Sequence, residues 1–166
     1  EAGAEFRVIL PAAKGDSATP PEAPKAQASA PRVATVLQGR SVYVVDDEES
    51  IREIVQEGLS ARGMKVEGAS SSEEALPHLA THTYDFVLCD FNLPGLNGEQ
   101  FFERMQASAT GGAAPKFVFM SGALLDPSTM ASFGEKGAAV LQKPFHMSGL
   151  AALLTELLET PPSKAT

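Results

Sequence analysis

The chain has 166 residues, 43% of them hydrophobic, with a formal charge of −8 and a single cysteine. That hydrophobic share supports one core of ordinary domain size plus some additional chain. The acidic balance argues against a nucleic-acid surface, which needs clustered Lys and Arg, and one cysteine excludes an internal disulfide framework.

At the start, "EAGAEFRVILP" (1–11) sets Phe6, Val8 and Leu10 against Arg7 and Ile9 and stops at Pro11, which predicts one strand. A single strand is not a domain, so it is expected to belong to a unit outside this sequence. The first residue is Glu, and the sequence is read as a piece of a longer or processed chain. Residues 12–39 are rich in Ala, Pro, Ser and Lys. They have too few large apolar groups to offset their ordering entropy and are expected to form a flexible linker. The N-terminus lacks the basic and apolar regions of a signal peptide, and no apolar run reaches roughly 18 residues. The expectation is therefore the cytoplasm, with no membrane contact by this piece.

From Ser41 the hydrophobic period switches regularly. "SVYVV" (41–45) predicts a strand; Ile51, Ile54, Val55 and Leu59 then recur at helical spacing until Gly63. "KVEGA" (65–69) is a second strand. Ser71 or Ser72 is placed to cap a helix carrying Ala75, Leu76 and Leu79, with Glu73 and Glu74 in its first turn, where the dipole favours them. Pro77 inside that helix is a local conflict and a potential kink. "DFVLCD" (85–90) predicts a buried strand, and Phe101, Phe102 and Met105 mark a third helix. "KFVFMS" (116–121) is a fourth strand, followed after Pro127 by a short helix with Met130 and Phe133. "AVLQ" (139–142) is a fifth strand. Leu150, Leu153, Leu154, Leu157 and Leu158 make the last helix, closed by Pro161 ahead of a short tail (161–166). Continuous apolar strands alternating with helices predict an α/β fold, a parallel sheet covered on both faces.

In such a sheet, ligands bind outside the carboxyl ends of the strands. The polar residues at those ends are Asp46 and Asp47 after strand one, Asp90 ending strand three, Ser121 ending strand four, and Lys143 after strand five. Singly, each reads as a cap or a turn; four strands sending such groups to one edge reads as a site. Three neighbouring carboxylates repel, each pair at 4 Å costing on the order of 4 kcal/mol at an effective dielectric of 20. A divalent cation relieves this, and hard oxygen ligands suit Mg²⁺. A metal held by acids beside a lysine and a hydroxyl is equipment for phosphoryl transfer. With no GxxxxGK[ST] loop for a nucleotide, one of the aspartates is a candidate acceptor. His78, His82 and His146 lack partners at zinc spacing, and His78 and His82 read as a surface pair. Cys89 reads as core.

These residues resemble the receiver domains of two-component signalling. "VVDDEES" is similar to that family's acidic pair and "VLCDFNLPGLNGEQF" to its phosphoacceptor segment. "FVFMSG" resembles its hydroxyl-bearing strand end, and "LQKPF" its Lys-Pro-Phe. The likeness covers residues 39–160. It implies a flavodoxin-like (βα)5 fold with strand order 2-1-3-4-5. Asp90 would be the phosphoacceptor, and Mg²⁺ would be held by Asp47, Asp46 through water, Asp90 and the Asn92 carbonyl. Ser121 and Lys143 would contact the phosphoryl oxygens. Val140 stands where receivers commonly carry Tyr or Phe, which puts the usual coupling to that face in doubt. "EAGAEFRVILP" is similar to the closing strand of histidine-kinase ATP-binding domains. The implied parent is a hybrid histidine kinase, with a receiver at 40–160. The implied partner is a kinase dimerisation/phosphotransfer domain or a histidine phosphotransfer protein. The implied role is a phosphorelay switch, not an enzyme in its own right. Two alternatives stay open: a Mg²⁺-dependent aspartyl phosphohydrolase and a pseudo-receiver that only binds proteins. Part of the last helix's Leu stripe could also serve a weak homodimer.

Overall fold

The computed structural model describes residues 36–108, 114–123 and 125–159. The expected strand at 6–10, most of the linker and the tail at 161–166 lie outside them. Five strands and five helices alternate: β1 (Ser41–Val45), α1 (Glu49–Ser60), β2 (Lys65–Ala69), α2 (Ser72–Leu79), β3 (Phe86–Asp90), α3 (Gly98–Ser108), β4 (Lys116–Ser121), α4 (Pro127–Glu135), β5 (Ala138–Gln142) and α5 (Met147–Glu159). The strands form one parallel sheet in the order β2-β1-β3-β4-β5, as the flavodoxin-like reading expects.

Side chains alternate across each strand, so every strand feeds both faces. Tyr43, Val45, Val87, Cys89, Phe117 and Phe119 point to the face covered by Ala75 of α2, Phe101 and Phe102 of α3 and Phe133 of α4. Val42, Val44, Phe86, Leu88, Val118 and Met120 point to the other, covered by Val55 and Leu59 of α1 and Leu150, Ala151 and Leu154 of α5. Because β1, β3 and β4 are buried on both sides, they read as apolar runs rather than as alternating patterns.

Local chemistry sets the ends of the elements. Gly63, at φ +81°, takes the left-handed conformation that closes α1. Of the two serines offered as caps, Ser71 is the cap, accepting the Glu74 N–H at 3.2 Å. The Ser72 hydroxyl is buried and donates to the Leu96 carbonyl at 2.9 Å, tying α2 to the loop after β3. The helix runs through Pro77 to Leu79. Asp126 caps α4, accepting the Ser128 and Thr129 amides.

Two expectations change. Ile54 and Met130, counted with the apolar faces of their helices, are 53% and 47% exposed. Val55 faces the sheet, and Ile54, about 100° further round the helix, falls on its solvent side. Leu37, placed in the linker by composition, is 0% exposed and packs into the α1/α5 core. The folded unit therefore includes Leu37, and the boundary drawn at residue 39 falls too late. The Ala- and Pro-rich stretch before it drew the compositional boundary past this core side chain.

Candidate functional site

The carboxyl ends of β1, β3, β4 and β5 meet at one edge, and the expected polar residues are there. Asp46 follows β1 and is 0% exposed; Asp90 ends β3 and is 6% exposed; Ser121 ends β4 and is buried. Lys143 follows β5, where its N–H donates to the Ser121 carbonyl at 2.7 Å. Asp47 and Asn92 are on the exposed rim.

One contact organises the site. The Lys143 ammonium donates to Asp46 Oδ2 at 2.7 Å and pairs with Asp90 Oδ1 at 2.8 Å. Asp90 Oδ2 accepts the Asn92 N–H at 2.9 Å, and Asp46 Oδ1 accepts the Glu48 N–H at 3.0 Å. The Ser121 hydroxyl turns back on its own loop, donating to the Ala123 carbonyl at 3.1 Å and accepting the Ala123 N–H at 3.3 Å. The α3 N-terminus presses on the same place. A Cβ at Gly98 would stand 2.7 Å from the Asp90 carbonyl oxygen, so only glycine permits this approach.

The electrostatics follow from burial against pairing. Burial pushes the Asp46 carboxyl above the ordinary carboxylate range, against the pull of Lys143 and the Glu48 amide. For Lys143, burial works against the charged form, but its hydrogen bonds to Asp46 and Asp90 outweigh it and hold the ammonium above the ordinary lysine range. With two carboxylate acceptors in contact, Lys143 is an ammonium, and Asp46 is a carboxylate bearing a burial cost. Burial, reinforced by Asp90 and Asp46, pushes the Cys89 thiol well up, so the neighbour of Asp90 is not a nucleophile.

A divalent cation suits the donor set. Asp46 and Asp90 lie close enough to share one cationic group, and all the side-chain donors are hard oxygens. Among the described residues, however, no three His, Cys, Asp or Glu side chains are already gathered to hold an ion. Asp47 stands at the rim, and Lys143 fills the space between the other two carboxylates. The sequence expectation set the lysine beside a phosphoryl group; here it bridges two of the three carboxylates. It also missed Arg52, whose Nη1 donates to the Asp46 carbonyl at 2.7 Å. The available signal was spacing: Arg52 lies six residues past Asp46, one turn into α1. His78 and His82 are remote from this edge. Their rings stack 4.2 Å apart, and His78 Nε2 lies 2.7 Å from the Tyr84 hydroxyl.

Sequence and fold comparisons place the chain in a family. The family model of the response regulator receiver domain matches residues 42–155. The chain belongs to that family. Among curated relatives, it is 31% identical over 119 residues to the response regulator Rre1 of Synechocystis, covering 71% of this chain and 51% of that one. It is 25% identical over 155 residues to the sensor histidine kinase AtsR of Burkholderia thailandensis, covering 93% of this chain and 25% of that one. It is 36% identical over 104 residues to the virulence sensor protein BvgS of Bordetella bronchiseptica, covering 63% of this chain and 8% of that one. The chain thus spans about half or less of these relatives. Among solved structures, Vibrio cholerae CheY4 matches with a TM-score of 0.62 at 28% identity, covering 72% of this chain and 98% of that one. A Francisella receiver domain gives 0.62 at 23%, covering 73% and 98%. The fold and the two-component signalling class are thereby established. Among the described residues, no helix is long and apolar enough to cross a membrane.

Proposed function

We propose that this chain is a phosphoacceptor switch module in which Asp90 takes a phosphoryl group from a phosphohistidine in a Mg²⁺-dependent reaction. The observation that carries the reading is the Lys143 ammonium held between Asp46 and Asp90. It draws cationic charge at the sheet edge toward the one carboxylate ending β3.

In this reading an Asp90 carboxylate oxygen attacks phosphorus. The new P–O bond forms as the P–N bond of the donor breaks, and the imidazole nitrogen leaves with the bonding pair. Asp47, Asp90, the Asn92 carbonyl and, through water, Asp46 would hold Mg²⁺, which supplies charge neutralisation for the transferring group. The Asn92 amide already orients Asp90. Lys143 would exchange its carboxylate partners for a phosphoryl oxygen, and the Ser121 hydroxyl would release the Ala123 carbonyl for another. Both groups have the donors this requires.

The donor would be a histidine kinase dimerisation/phosphotransfer domain or a histidine phosphotransfer protein. The parent chain would be a hybrid histidine kinase, a reading supported by the likeness to the sensor histidine kinase AtsR and the virulence sensor protein BvgS. The work would be done in the cytoplasm, and this piece alone would turn nothing over. Intact-mass analysis after treatment with a small phosphodonor tests the reading. One phosphoryl adduct is expected with Mg²⁺ and none on Asp90→Asn. A full-yield adduct on the Asn variant overturns the assignment, and sustained hydrolysis of a generic phosphate ester brings back the phosphohydrolase alternative.

A further inference from the structure

We infer that Arg52 is a positioning residue for the acidic pair, fixing the peptide from which Asp47 is presented to a divalent cation. The inference rests on the phosphoacceptor reading above.

Every polar atom of Asp46 is engaged. Its N–H donates to the Ala69 carbonyl at 3.3 Å and its carbonyl accepts from Arg52 Nη1 at 2.7 Å. Its Oδ1 accepts the Glu48 N–H and its Oδ2 accepts from Lys143. The residue is fully buried, whereas Asp47, next along the chain, is exposed. The Asp46 carbonyl and the Asp47 N–H share one planar peptide. Whatever holds that carbonyl therefore sets the direction in which Asp47 leaves the strand. Arg52 holds it from inside α1, and its own N–H donates to the Glu48 carbonyl at 3.2 Å. One partly buried residue thus ties both sides of the β1–α1 turn. Mg²⁺ demands near-ideal octahedral geometry, so a loosely aimed carboxylate is a poor ligand for it.

Charge and position make opposite predictions. Arg52 is a cation near the place a cation would bind, so by charge alone its removal tightens Mg²⁺ binding. By position, its removal weakens binding.

The test is a Mg²⁺ titration of the melting temperature on the full chain, with hydrogen exchange at the Asp47 and Glu48 amides measured without metal. Arg52→Met is expected to raise the half-point for Mg²⁺ about tenfold, the lower end of what supporting partners of a metal site contribute. It is also expected to speed exchange at both amides. Arg52→Lys keeps a donor and a charge and is expected to stay near the parent chain in both readouts. A lower half-point in Arg52→Met, or a fall in melting temperature with the half-point and exchange unchanged, overturns the inference. If the unsubstituted chain shows no response to Mg²⁺, the metal reading itself fails, and that is seen before any variant is made.

Discussion

At the amino end of the sheet, Asp85 accepts the Ser41 N–H at 2.8 Å, the Ser41 hydroxyl at 3.0 Å and Arg40 Nη1 at 2.8 Å. At the carboxyl end, Asp46 has the Glu48 amide and a share of Lys143. Burial disfavours ionisation at both. At Asp85 the Ser41 amide and hydroxyl and Arg40 win, and the carboxyl is held below its ordinary range; at Asp46 burial wins. The amino end is a closure, with Leu37 packed beneath it and the Lys116 N–H donating to the Asp85 carbonyl at 2.9 Å. The carboxyl end keeps like charges together under one lysine. One end uses an acid to hold strands together; the other gathers acids around a single ammonium.

Breaking the amino end should cost stability and leave the metal response alone. The largest effect is expected from Leu37→Ala, about 3 kcal/mol or roughly 10 °C in melting temperature, with the Mg²⁺ half-point unchanged. Calorimetry with and without Mg²⁺ checks both halves. A chain beginning at Gly39 loses the same side chain and is expected to fall similarly; equal stability would put Leu37 outside the folded unit.

Asp85→Asn comes next, at about 2 kcal/mol near pH 7, for weakened charge-assisted bonds to a half-exposed partner. The sign is fixed by linkage. A depressed folded-state pKa contributes stability above the unfolded value near 4, and that contribution is lost as pH falls through the folded value. The gap between parent and variant should therefore close on acidification. Asp126, held low chiefly by the Ser128 and Thr129 hydroxyls, supplies a second acid-labile contribution that the variant retains. A gap that widens toward pH 2 contradicts the assignment.

The carboxyl end should behave in the opposite way. Asp47→Ala is expected to change the metal-free stability by no more than about 0.5 kcal/mol, as for an exposed side chain, while erasing most of the Mg²⁺ response. Denaturant titrations in magnesium and in chelator would show it, and an unaltered magnesium gain would remove Asp47 from the site. The smallest effect concerns reach. Val140 packs against the aromatic face without a ring to rotate. Amide shifts on adding beryllofluoride should centre on Ser121 to Ala123, with less at Val140 and α5. The reverse pattern would show that the carboxyl end signals across β5 without a ring.

The fold was legible because β1, β3 and β4 are continuous apolar runs, and because the glycine at 63 and the serine at 71 sit where a helix must stop or start. The site was legible as a set of strand ends. What the sequence could not convey is which group each acid meets. Lys143 and Asp46 are 97 residues apart, and only the closed sheet brings their side chains to 2.7 Å. Arg52 was passed over because its target is a backbone carbonyl, which leaves no complementary residue type to notice. Leu37 was lost for a simpler reason: it closes an Ala- and Pro-rich stretch whose composition outweighed a short apolar pattern.

Cys89 is the one cysteine of the chain, wholly buried on β3, with its thiol pushed well above the ordinary range. Thiol reagents need a thiolate and a path to it, and here both are denied. A cysteine placed at Ile54 on α1 or at Met130 on α4 would then be the reactive thiol, with the native one left in place. The two positions lie on helices covering opposite faces of the sheet. A spin or fluorophore pair attached there would act as a ruler through the domain, reporting whether occupation of the carboxyl end moves one helical layer against the other.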